Sequence, residues 1–168
     1  TGSQANVRAA YTCGTPAFGV GAGNVASIVD ETADAEAAMA LLLQSKTFDN
    51  ATSCSSENSL IVVAAAREAV LAALQRRGAV LLDDARKAAL QQLMWPDGQL
   101  SAAVIGKSAR AIAERVGWAD VAEAGPSVLV VQESGVGPEH PFSGEKLCPV
   151  LTLYTVPDFD AAAAQVAQ

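Results

Sequence analysis

One cysteine of this chain stands apart from the other two. Cys54 lies in SKTFDNATSCSSENS, residues 45–59, after the turn-prone pair Asp49 and Asn50 and before Ser55, Ser56, Glu57 and Asn58. The apolar run Leu60, Ile61, Val62 and Val63 follows. A structural cysteine usually sits among Val, Ile, Leu and Ala, whereas this one is flanked by serines. A thiol on a polar loop between an amphipathic segment and a strand is open to a small molecule. The thiolate is the reactive form, and its free pKa of about 8.5 falls near positive charge or backbone dipoles. On residues alone Cys54 is either a nucleophile or a solvent-facing loop thiol.

The neighbouring candidates read differently. Glu57, three residues beyond Cys54, reads as a solvated or packing-network carboxylate rather than a base. His140 sits in Pro138-Glu139-His140-Pro141 as the sole imidazole, a rigid loop residue without an orienting partner. Cys13 and Cys148, beside Gly14 and Pro149, read as structural. The run Gly19-x-Gly21-x-Gly23 departs from the dinucleotide fingerprint because position 24 is Asn, and no Walker Lys-Ser/Thr follows. Its glycines suit backbone freedom and close approach near the thiol. One histidine and no CxxC leave no zinc site to propose, so no metal is expected.

These residues need elements to hold them. Apolar periodicity alternates between two templates. Helices are predicted over 4–12, 34–48, 66–77, 83–94, 108–116 and from Asp158 onward, with Asp34 or Thr32, Asp83 or Asp84, and Ser108 as N-caps. Strands are predicted over 17–20, 26–29, 60–63, 79–82, 127–132 and 150–156. The continuous apolar runs suit strands buried on both faces. Strands separated by helices define an α/β fold with mainly parallel strands.

Composition sets the outer limits. At 168 residues and 17.1 kDa the chain fits one domain with a sizeable core. Apolar residues make up 51 %, which excludes a disordered class, and aromatics only 5 %, so the core must be Ala, Val, Leu and Ile. A net charge of −7 argues against a nucleic-acid partner, which needs clustered Lys and Arg. With no run of 18 apolar residues, no membrane span is expected. Three widely spaced cysteines and no basic leader point to the reducing cytoplasm. The first residue is Thr1 and the last apolar-periodic segment runs to Val166, so the chain reads as a piece of something longer.

Several ordered motifs together carry a family resemblance. GTPAFGVGAGNVASIVDETAD (residues 14–34), SKTFDNATSCSSENSLIVV (45–63), VIGKSARAIAERVG (104–117) and GPEHPFSGEKLCPVLTLY (137–154) resemble the coenzyme A-acylating aldehyde dehydrogenases. That group includes the aldehyde dehydrogenase half of bifunctional alcohol/aldehyde enzymes and the sulfoacetaldehyde dehydrogenases. The resemblance covers essentially the whole chain. It implies a three-layer α/β/α catalytic domain with a mainly parallel sheet, present here in part. A nucleotide-binding domain would precede Thr1 and the remainder would follow Gln168.

The resemblance also assigns roles. Cys54 takes the position of the catalytic nucleophile. EKLCPV, residues 145–150, matches the family's Glu-x-apolar-x-Pro-Val motif. Glu145 would then hydrogen-bond the nicotinamide ribose, and Leu147 would pack near the ring. Thr1-Gly2-Ser3 resembles the turn that opens a helix beside the cofactor pyrophosphate, so Gly2 and Ser3 are the candidate contacts. Hydrolytic members carry a Glu-Leu-Gly-Gly run whose Glu activates water; here Val20-Gly21-Ala22-Gly23-Asn24 has no carboxylate. A thioester on Cys54 should therefore wait for a thiol.

The implied cycle is addition of the Cys54 thiolate to an aldehyde, hydride transfer to NAD or NADP, and capture of the acyl group by coenzyme A. Donors to the oxyanion would be the Cys54 backbone N–H and an upstream Asn. The hydroxyl-rich ATSCSSEN looks most like the sulfoacetaldehyde enzymes, with acetaldehyde as the competing substrate. The implied partners are small molecules, and the implied assembly is a homo-oligomer, a dimer or tetramer. The segment alone is expected to be inactive. A non-catalytic scaffold or oligomerisation fragment is the alternative from another class.

Overall fold

The computed structural model describes residues 4–19 and 23–168. Gly2 and Ser3, and the stretch 20–22, lie outside them. Helix α1 (Gln4–Thr12) leads through an irregular segment to strand β1 (Val25–Val29) and helix α2 (Ala35–Thr47). A tight turn then enters β2 (Glu57–Val63), followed by α3 (Arg67–Arg76) and the short β3 (Val80–Leu81). Helices α4 (Asp84–Met94), α5 (Ala109–Val116) and α6 (Ala119–Ala124) precede β4 (Leu129–Gln132), β5 (Val150–Val156) and α7 (Phe159–Val166).

Local chemistry starts and stops these helices. The Asp34 carboxylate accepts from the N–H groups of Glu36 and Ala37 at 3.0 and 3.1 Å, satisfying donors that the first turn of α2 leaves orphaned. Asp83, Ser108 and Asp158 cap α4, α5 and α7 in the same way. Gly117, at φ 89°, closes α5 in the left-handed conformation.

The strands form one five-stranded sheet in the order β1-β2-β5-β4-β3, and every pairing is parallel. Parallel neighbours require crossovers, and here the crossovers cover both faces. Leu60, Val62, Val130, Leu151 and Leu153 pack against Met39, Leu42, Leu43, Val70 and Leu74 of α2 and α3. The alternate residues Ile61, Val63, Tyr154 and Val156 face Ala162 of α7, and Leu129, Val131 and Val150 face α4, α5 and α6. The period of two along each strand thus divides the core into two layers, giving α/β/α.

Three expectations need adjustment. The predicted strand over 17–20 is not formed in its described part. Instead Gly19 folds back on α1, its N–H donating to the Tyr11 hydroxyl at 2.9 Å. Strand β2 begins three residues early, at Glu57, because its polar start is anchored by neighbours rather than by apolar pattern. Helix α6 carries no periodic signal long enough to announce it; it forms as a six-residue turn of helix packing Val121 and Ala122 into the core.

Candidate active site

In a parallel sheet, segments that lead into adjacent strands share one edge. Strand β2 lies between β1 and β5, so Gly23 ahead of β1, Cys54 ahead of β2 and residues 145–147 ahead of β5 converge there. This is how residues about ninety positions apart in sequence become neighbours. The Gly23 contact is the tightest: a Cβ built on it would overlap the Cys54 carbonyl oxygen and sit 3.4 Å from the Cys54 Cβ. Only glycine fits against the Cys54 backbone.

The turn that carries Cys54 is unusual. Asp49, Asn50 and Ala51 hold φ values of 47°, 51° and 60°, three successive residues in the left-handed region without a glycine. Side chains compensate. The Thr52 hydroxyl donates to the Asp49 carboxylate at 2.7 Å, and the Asn50 amide donates to the Gly106 carbonyl at 3.1 Å. The Gly106 N–H in turn donates to the Leu147 carbonyl at 2.9 Å. The two peptide groups flanking Gly106 therefore tie the Cys54 turn to the Glu145-Lys146-Leu147 motif. Leu147 is itself left-handed, with φ 49°.

Two further bonds close the edge. The Lys146 backbone N–H donates to the Asn58 side-chain oxygen, Oδ1, at 3.1 Å, and the Asn24 side-chain amide donates to the Ser143 carbonyl at 3.0 Å. Sequence alone assigns Asn24, Asn50, Asn58 and Gly106 no evident part in holding these segments together. Asn58 had a faint signal, a polar residue at the mouth of an otherwise apolar strand.

Cys54 is exposed on this edge, whereas Cys148 is buried and its thiol is pushed up to about 11 by burial. Cys148 is therefore inert structure, and Cys13 is an exposed thiol at the end of α1. Glu145 is half-buried, and burial raises its carboxyl above the usual range. It makes no hydrogen bond to another described residue, so its oxygens are available to hydroxyl donors. A shallow cavity of about 350 Å³ lies between the outer face of α2 and the turn, lined by Leu41, Gln44, Ser45, Phe48, Ser53, Ser55 and Ser56; the Cys54 side chain is not part of its lining.

His140 lies elsewhere. Its Nδ1 is 3.2 Å from a Glu133 carboxylate oxygen, and its ring lies over Gly135. Glu133 follows β4, so this pair occupies the opposite edge of the sheet from Cys54. Lys87 completes the group through a 2.9 Å ion pair to Glu133. Among the described residues no cluster of His, Cys, Asp or Glu could hold a metal ion, and no helix is long and apolar enough to cross a membrane.

No protein-family model matches the chain. Over its length the chain is nevertheless similar in sequence and fold to acylating aldehyde dehydrogenases. The acylating sulfoacetaldehyde dehydrogenase of Cupriavidus necator is 60 % identical over 167 residues, 99 % of this chain and 34 % of its own length. An acetylating aldehyde dehydrogenase from Geobacillus thermoglucosidasius superimposes with a TM-score of 0.91 at 38 % identity, covering 98 % of this chain and 36 % of that one. Propionaldehyde dehydrogenase of Rhodopseudomonas palustris, solved with bound CoA and an acylated cysteine, gives 0.86 at 31 % identity over 98 % and 37 %. An engineered glycolyl-CoA reductase holding NADP+ gives 0.85 at 31 % identity over 99 % and 38 %. The chain spans about a third of the length of these proteins.

Proposed function

We propose that this chain is the nucleophile-bearing part of an enzyme that oxidises sulfoacetaldehyde to its acyl-CoA, with NAD or NADP as hydride acceptor and coenzyme A as acyl acceptor. The observation that carries the reading is the convergence of exposed Cys54, Gly23 and the 145–147 segment on one sheet edge. Substrate choice is supported by the 60 % identical sulfoacetaldehyde enzyme and by the exposed serines, Ser53 and Ser55, that flank Cys54. Serine hydroxyls can donate to sulfonate oxygens.

The roles follow from the positions. Cys54 adds through sulfur to the aldehyde carbonyl and then carries the acyl group as a thioester. Its own backbone N–H is suited to the oxyanion. Glu145 would receive hydroxyls of the cofactor ribose, and Leu147 would pack beside the ring. The nicotinamide cofactor, when bound, removes the hydride. Gly2 and Ser3 are proposed for its pyrophosphate. Gly23 and Asn24, the described part of the 20–24 run, carry no carboxylate to activate water. The thioester is thus left for a thiol, as the CoA-bound relative illustrates.

The intact protein is proposed to be a cytoplasmic homo-oligomer, a dimer or tetramer. Three unpaired cysteines suit a reducing compartment. Exposed Tyr11, Phe18, Leu41 and Phe48 suit coverage by other protein surface. The test is acyl-CoA formation by full-length protein, with sulfoacetaldehyde preferred over acetaldehyde. Cys54→Ser should abolish both the acyl-enzyme and turnover. The 168-residue chain by itself should form no acyl-CoA. Turnover retained by Cys54→Ser would refute the reading.

A further inference from the structure

Beneath the Cys54 turn lies a buried group of charges that the proposed chemistry does not use. Lys46 and Lys146 are both wholly buried, with 0 % exposure. Lys146 is satisfied: its ammonium donates to the Phe142 and Gly144 carbonyls at 2.7 and 2.9 Å. Lys46 is not. Its Nζ, in the last turn of α2, has no hydrogen-bond partner among the described residues. Across the turn, at the first residue of β2, one Glu57 carboxylate oxygen is buried and equally without a partner. An orphaned cation and an orphaned anion thus occupy the two ends of the segment that presents the nucleophile.

The groups that act on Lys46 can be enumerated. Burial lowers its pKa to about 8, while Cys148 and Glu57 pull the other way; Lys146 is close enough for the two cations to oppose each other. Cys148 is no counter-ion, because burial keeps its thiol protonated at neutral pH. Lys146 has the wrong sign. Glu57 is the one carboxylate in the group. Lys46 is wholly buried and Glu57 half-buried with one buried oxygen, and the two are not in ion-pair contact in this structure. A buried charge without a partner is strongly unfavourable, which favours their approach.

We propose that the Lys46 ammonium and the Glu57 carboxylate form a buried charge pair that clamps the two ends of the 47–56 turn and so positions Cys54 for attack. Lys46 and Glu57 are positioning residues, since neither touches substrate. The proposal rests on Cys54 being the nucleophile. Its physical content is that the turn, with three left-handed residues, is held from below by charge as well as from the side by Asn50. Deprotonation of Lys46 dissolves the pair, so formation of the acyl-enzyme should lose rate as pH rises through the Lys46 pKa. Removing Glu57 withdraws an influence that raises this pKa, so the limb should move to lower pH.

The experiment is a double-mutant cycle in the full-length enzyme: wild type, Lys46→Met, Glu57→Gln and both together. Single-turnover formation of acyl-Cys54 and the KM for coenzyme A are measured across pH. Glu57→Gln should slow acyl-enzyme formation about tenfold with Lys46 present, and less than about twofold in the Lys46→Met background. The KM for coenzyme A should not change. The alkaline limb should be present in wild type, shifted to lower pH in Glu57→Gln and absent from Lys46→Met. Equal effects of Glu57→Gln in both backgrounds, or a wild type without the limb, would overturn the proposal. Should Lys46→Met fail to fold, the direction of the limb shift in Glu57→Gln still decides. Turnover by Cys54→Ser would instead overturn the functional reading, so the two failures are distinguishable.

Discussion

At Gly23 and Ala51, two residues that touch or carry the Cys54 turn, a methyl group has opposite consequences: excluded at the first, strained at the second. Gly23→Ala places a methyl group in the space of the Cys54 carbonyl oxygen, which can yield only by moving the Cys54 backbone. Full-length enzyme carrying it should lose acyl-enzyme formation by at least about 100-fold, since displacement of about 1 Å at a reacting centre suffices for that. Ala51 presents the reverse case. It is buried to 1 % exposure at φ 60°, a region where a side chain costs roughly 1–2 kcal/mol. Ala51→Gly should relieve that strain, offset by the greater freedom of glycine in the unfolded chain. A net gain of up to about 1 kcal/mol is expected, read from the midpoint of denaturant unfolding. A loss of stability would mean that the buried methyl contributes more through packing than it costs in backbone strain.

Between elements, the site is held by polar groups at strand mouths rather than by apolar packing. Asn58 is the clearest instance, because its side-chain oxygen, Oδ1, is the acceptor for the buried N–H of Lys146 and joins β2 to the segment before β5. Asn58→Ala leaves that N–H unpaired and should cost about 1–3 kcal/mol of stability, measurable by chemical denaturation. It should also raise the KM for NAD(P) in full-length enzyme by loosening Glu145. These links explain what could and could not be read from the sequence. The β2 and β5 runs, the Asp34, Ser108 and Asp158 caps, and the Cys54 and Glu145 motifs carry local signatures. The Gly106 link that joins Asn50 to Leu147 does not, because it bridges three segments distant in sequence and leaves no periodicity in any of them. Lys46 is misleading for a related reason. A lysine in the last turn of a helix ordinarily favours the helix dipole from the surface, yet here it points inward.

For the molecule as a whole, the parallel sheet separates its two edges by role. The lead-in segments with Cys54, Gly23 and Glu145 gather at one edge, while the turns that leave the strands gather at the other. That second edge holds the Lys87–Glu133–His140 group and the exposed 31–34 turn between β1 and α2. The separation makes the far edge a place where foreign sequence can be grafted. A short flexible epitope inserted between Thr32 and Ala33 would leave the Asp34 cap of α2 and the hydrogen bonds from Thr32 to Asp30 in place. Full-length enzyme with such an insert should keep its kcat within about twofold, because exposed loop tips tolerate insertion and no strand mouth is touched. The same epitope placed between Ser55 and Ser56 should abolish turnover. The pair of insertions would turn the polarity of the sheet into a map of where this protein can be tagged or immobilised while it works.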